Sequence, residues 1–286
     1  MNSGGLVSIA LTITLASLTQ FGCSTASPRP VPEALRCEYL TEPLAIGDSA
    51  PRFTWESRDP RRGVRQSAYE VHVATTADLA RAEHPDIWSS GKVASSDNAN
   101  VVYAGPALRA GAKYFWTVRA WMQSMDADAE SLASDWSIPV VFGVGLPTIA
   151  DWHGAKWIGD PTPPPAVIAA TKDGEGGKGA KGHPLQGMDA LPAPMLRKEF
   201  EIGAPVRRAM LYISALGLYE ARINGERVGD HDLAPEWTDY NLRVQYQGYD
   251  VTRRLRSGGG NAIGVTLADG WYAGRLGMAQ QFSEHK

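Results

Sequence analysis

The sequence predicts an all-β protein made of two antiparallel sandwiches in tandem. Three observations carry this. Apolar and polar residues alternate with a period of two in "SAYEVHVAT" (residues 67–75) and "AKYFWTVRAW" (residues 112–121), as in half-buried strands. Turn-rich stretches such as "SSGKVASSDNAN" (residues 89–100) separate such runs at short intervals. No stretch holds the period of a long helix.

The 286 residues suggest about two domains. The first 28 residues carry no charged side chain, and "LVSIALTITLASLTQF" (residues 6–21) is too short and too rich in Ser and Thr to span a membrane. Residues 1–27 therefore read as an export signal. The Gly22-Cys23 pair that follows is similar to a bacterial lipoprotein cleavage site, which would make Cys23 the lipidated residue. Ordinary signal cleavage nearby is the alternative. Either way the expected location is outside the cytoplasm: the periplasm, the outer membrane or the cell exterior. Membrane contact is expected only through a lipid on Cys23. The one remaining cysteine, Cys37, then has no intrachain partner and reads as a small buried hydrophobe.

Residues 33–147 form the first predicted sandwich. Tyr69, Val71 and Val73 share one face of a strand, with Glu70 and His72 on the other. Tyr114, Trp116, Val118 and Ala120 share a face of a second strand, opposite Phe115, Thr117, Arg119 and Trp121. The spacing from Leu108 to Tyr114, followed by the alternating run, resembles the fibronectin type III (Ig-like) pattern. In that setting His72 and Trp121 read as structural.

Residues 161–194 hold seven Pro and six Gly in 34 positions and no Phe, Trp or Tyr. Such a composition cannot bury a core, so a flexible linker or insert is expected. Its "GEGGKGAKG" lacks the GxxxxGK[ST] spacing of a phosphate-binding loop.

Strand patterns return in residues 195–286 with "RKEFEI", "RRAMLYISAL", "GLYEARING" and "VQYQGYDVT". Asn224-Gly225 has the residues of a type I′ hairpin turn. "SGGGNAIGVTLADGWYAG" (residues 257–274) adds a turn, a strand and an aromatic loop. This order reads as a jelly-roll sandwich.

A net charge of −3, from 28 basic and 31 acidic residues, leaves no electrostatic footprint for nucleic acid. The stretch "NGERVGDHDLAPEWTDY" (residues 224–240) is the candidate site. Trp237 and Tyr240 could stack on a sugar, and Asn224, Asp230 and Asp239 could accept from its hydroxyls. Trp271 offers a second aromatic wall. Oxygen ligands such as Asp230 and Asp239 also suit calcium. The opposing reading makes Trp237 a plug at the end of the sandwich, Asn224-Gly225 a turn, and the acids solvated charges.

"WIGDP", "LRKEFEI", "LYISALGLYEARINGERVGDHDLAPEWTDY", "VQYQGYDVT" and "LADGWYAGRLG" together resemble the N-terminal part of bacterial α-L-rhamnosidases. The resemblance implies a fibronectin-like domain, then a jelly roll, with catalytic carboxylates on an (α/α)6 barrel beyond them. It also implies rhamnose-containing glycans as partners and permits calcium. No stretch here reads as repeated helix pairs. The expectation is therefore an incomplete jelly roll and an N-terminal, non-catalytic portion of an exported enzyme, with no catalytic residue of its own. A stand-alone carbohydrate-binding lipoprotein is the alternative.

Overall fold

A computed structural model describes residues 30–124, 131–159 and 193–273. The export signal, Cys23 and nearly all of the Pro/Gly-rich segment lie outside the described residues.

The first sandwich contains β1 (Pro32–Cys37), β2 (Arg52–Ser57), β3 (Val64–Ala74), α1 (Ala77–Arg81), β4 (Trp88–Ser89), β5 (Val101–Val102), β6 (Lys113–Ser124), β7 (Leu132–Ala133) and β8 (Val140–Gly143). One sheet runs β1-β2-β5. The other runs β4-β3-β6-β7, with β8 also pairing β6. β3 and β6 pair antiparallel over nearly their whole length, which places Val71 opposite Val118 and Val73 opposite Trp116.

These faces are the ones the alternation predicts. Phe53, Trp55, Val71, Val73, Trp116, Val118 and Phe142 are buried between the sheets. Phe53 stacks on Trp116 with ring centroids 4.4 Å apart. Leu108 and Tyr114 are both buried, and the Tyr114 hydroxyl accepts from the Arg109 amide at 3.0 Å. That bond ties the turn before β6 to the strand, as in the tyrosine corner of Ig-like sandwiches. Cys37 is buried, and desolvation, with Glu38 adjacent, pushes its thiol far above the usual range.

The second sandwich contains β9 (Met195–Ile202), β10 (Met210–Ile213), β11 (Leu218–Ile223), β12 (Glu226–Arg227), β13 (Gln247–Asp250), β14 (Gly259–Ala268) and α2 (Gly270–Ala273). A four-stranded sheet, β12-β11-β14-β9, faces the two-stranded sheet β10-β13. Tyr219, Ala221 and Ile223 alternate inward along β11 and meet Tyr249, Leu211 and Ile213. Ile263, Val265 and Leu267 on β14 are only half-buried, because the facing sheet is narrow.

The β11–β12 hairpin turns through Asn224 (φ 53°) and Gly225 (φ 90°), with Ile223 paired to Glu226. Both positive angles are those of a type I′ turn, which Asn-Gly tolerates best. The aromatic loop expected near Trp271 is instead one short helical turn, α2.

Candidate functional site

Residues 228–243 leave the hairpin as a long loop. Their local chemistry inverts the usual pattern, since Ala234 and Pro235 are buried while Trp237 is 61% exposed. The backbone explains this. The Tyr219 amide donates to the Ala234 carbonyl at 2.8 Å, and the Gln247 side-chain amide donates to the Pro235 carbonyl at 3.2 Å. Leu233 (φ 59°) and Glu236 (φ 76°) flank this buried pair in the left-handed region, which side-chain-bearing residues seldom adopt. Such angles persist only where surrounding bonds enforce them. Downstream, the buried Thr238 hydroxyl donates to the Arg243 carbonyl at 2.7 Å. The Asp239 carboxylate accepts from the Asn241 amide at 3.0 Å and its carbonyl from Leu242 and Arg243 at 2.9 Å.

The loop is therefore pinned at several points and presents Trp237 to solvent, with Leu233 and Leu242 also exposed. Trp237 does not plug the sandwich; Ala234 and Pro235 take that position. The two exposed leucines escaped the sequence reading, since an apolar residue in a loop segment looks like core until its cover is known.

The other expected site residues fall into different settings. Asn224 is committed to the fold. Its amide nitrogen donates to the Arg254 carbonyl at 2.8 Å and to Asn261 Oδ1 at 2.9 Å, and its Oδ1 accepts from the Ala262 amide at 3.0 Å. That assignment as a sugar contact is corrected to a turn lock. Asp230 is fully exposed, with His231 Nδ1 3.6 Å away. Asp232 pairs with Arg227 at 2.7 Å and is itself largely exposed. Glu236 and Asp239 also lie in solvent.

Tyr240 is half-buried and meets Tyr272 of α2 edge-on, at 5.3 Å between centroids. Its buried hydroxyl has no hydrogen-bond partner among the described residues, and burial raises its pKa. Trp271, beside Tyr272 on α2, is half-buried. The Tyr240–Tyr272 contact thus brings α2 against the loop, and an aromatic patch spans the two.

Calcium fits poorly. It takes six to eight oxygen ligands, and no group of three or more His, Cys, Asp or Glu side chains converges among the described residues. The arrangement offers an exposed indole on a fixed backbone beside solvated carboxylates. That is suited to stacking and hydroxyl recognition. No apolar pocket sets one of these acids apart from another, as acid–base chemistry requires.

Comparisons with known proteins agree on one lineage. Residues 32–148 match a family described as the Rha78A-like, N-terminal immunoglobulin domain. Residues 204–286 match the α-L-rhamnosidase N-terminal domain. An α-L-rhamnosidase of Formosa agariphila is 37% identical over 246 residues, covering 86% of this chain and 24% of the relative. The structure of the Dictyoglumus thermophilum α-L-rhamnosidase superposes with a TM-score of 0.68 at 35% identity, over 85% of this chain and 26% of that one. The Streptomyces avermitilis enzyme, solved with L-rhamnose, gives a TM-score of 0.70 at 28% identity, over 90% of this chain and 38% of that one. The chain spans between 23% and 36% of the length of the curated relatives it matches.

Proposed function

We propose that this chain is the N-terminal, non-catalytic part of an exported α-L-rhamnosidase, and that its 228–243 loop makes a glycan contact for that enzyme. The observation that carries this reading is the extent of the similarity. It runs through both sandwiches, covering 81% to 87% of this chain, yet reaches only 23% to 36% of the relatives' length. Glycoside hydrolysis needs two carboxyl groups flanking the scissile bond in contrasting environments. The loop's carboxylates are all solvated, so none of them is set up for bond cleavage.

The substrate class is rhamnose-containing glycans. A 6-deoxy sugar presents a methyl group that an exposed indole covers without stranding a hydroxyl, and Asp230 and Asp239 can accept from ring hydroxyls. Export, with a lipid anchor on Cys23 as one route, is supported by the charge-free first 28 residues.

Two measurements test this. The purified chain should release no p-nitrophenol from p-nitrophenyl α-L-rhamnoside above background. Turnover abolished by Asp230→Asn or Glu236→Gln would refute the non-catalytic assignment. Calorimetric titration with L-rhamnose should show weak binding, about millimolar or ~4 kcal/mol, and Trp237→Ala should weaken it at least fivefold. Calcium and chelator should give the same affinity. A folded Trp237→Ala protein that binds L-rhamnose as tightly as the wild type would remove the loop as the contact.

A further inference from the structure

The two-stranded β10–β13 sheet is a weak element by itself. Each strand has four residues, and 33 residues separate them (214–246), so no tight hairpin holds them together. Two short strands are marginal in water without a packed face. The inner face, with Leu211, Ile213 and Tyr249, packs on the second core. The outer face carries Tyr212 directly opposite Gly248, and this face meets the first sandwich.

The contacts there are specific. The Leu146 amide donates to the Tyr246 hydroxyl at 2.7 Å, and Trp152 meets the Tyr246 ring edge-on at 5.1 Å. Arg208 donates to the Gly111 carbonyl at 3.0 Å. Two glycines make the approach possible. A Cβ on Gly145 would collide with the Tyr246 hydroxyl, and one on Gly248 would run into the Ala45 methyl. Each glycine has a negative φ, so close approach is what requires it, not turn geometry.

We infer that the first sandwich is the docking partner of the β10–β13 sheet and that these contacts hold the two domains in one fixed orientation. The face is complementary on both sides: a hydroxyl and a guanidinium from the second domain meet an amide and a carbonyl of the first, and the Tyr246 ring also packs against Trp152 just beyond it. The first domain then acts as a brace that orients the second domain and its Trp237 loop.

The test uses the full chain with a specific protease site replacing residues 176–179. After cutting, the two halves should co-sediment as one species at micromolar concentration. Gly145→Val should raise their dissociation constant at least tenfold. Tyr246→Phe, which removes only the hydroxyl, should raise it roughly three- to tenfold. Halves that separate in the wild type while each keeps its β-sheet circular dichroism would overturn the inference. So would an association that neither variant weakens. Should Gly145→Val fail to fold, Tyr246→Phe decides. In the uncut chain, spin labels at Ser49→Cys and Ala204→Cys, with Cys23 and Cys37 replaced, should give one narrow distance distribution. A broad distribution would equally sink the proposal.

Discussion

Asn224 joins two kinds of information in one residue. Its place before Gly225 is local chemistry and readable as a hairpin turn. Its three side-chain hydrogen bonds are not, because the partners at Arg254, Asn261 and Ala262 lie 30 to 38 residues away. The two contributions can be separated. Asn224→Gly keeps the positive φ but loses the bonds, and should cost about 2 kcal/mol in urea denaturation. Asn224→Ala should cost about 1 kcal/mol more, since a Cβ is strained at φ 53°. Neither should alter L-rhamnose affinity beyond any loss of folded protein. A drop in affinity in the folded Gly variant would return Asn224 to the binding site. Trp237 is the reverse case: its type suggested either a plug or a platform, and only burial decided between them.

Among the elements, the β3 and β6 pair was legible almost face for face, yet its outer surface was not. Arg119 lies 4.8 Å from the ring centroids of both Trp121 and Trp136, and Lys92 sits over the Trp121 ring at 4.6 Å. Arg119 also binds the Glu70 carboxylate through two nitrogens at 2.7 and 2.9 Å. His72 is buried beneath this layer, between Glu70 and the Ala80 carbonyl of α1. α1 has only five residues, too few to show a helical period, so its cover over His72 could not be anticipated.

Burial pushes the Glu70 carboxyl up, but hydrogen bonds from Arg119 and His72 outweigh it and hold the pKa below the ordinary glutamate value. A depressed folded pKa contributes stability that is fully present above the unfolded value, near 4.3, and is lost as pH falls through the folded one. Thermal melts from pH 7 to pH 3 should therefore fall more steeply for wild type than for Glu70→Gln. The variant should be the less stable protein at pH 7, because it leaves Arg119 without its carboxylate. Parallel curves would show that Glu70 does not contribute to the acid limb.

At the scale of the whole molecule, the Tyr246 contact predicts coupling between domains that a chain of two sandwiches need not have. Calorimetry should show one transition, with calorimetric and van't Hoff enthalpies equal. Gly145→Val should split it into two or broaden it. Trp237→Ala, on the opposite kind of surface, should leave it single. Two separate transitions in the wild type would mean that the domains touch without sharing stability.

The sequence by itself determined the β class, the two-sandwich order, the inward faces of β3 and β6, the Asn224-Gly225 hairpin and the family likeness. All of these rest on side-chain period, turn chemistry and residue identity, which act between neighbours along the chain. Tertiary structure alone decided that Pro235 is buried and Trp237 exposed, that Asn224 is consumed by the fold, and that β10–β13 docks on the first domain. Each of those depends on which distant segment covers a residue or approaches it closely. Burial and hydrogen-bond satisfaction are properties of that meeting, and neither partner's local sequence records it.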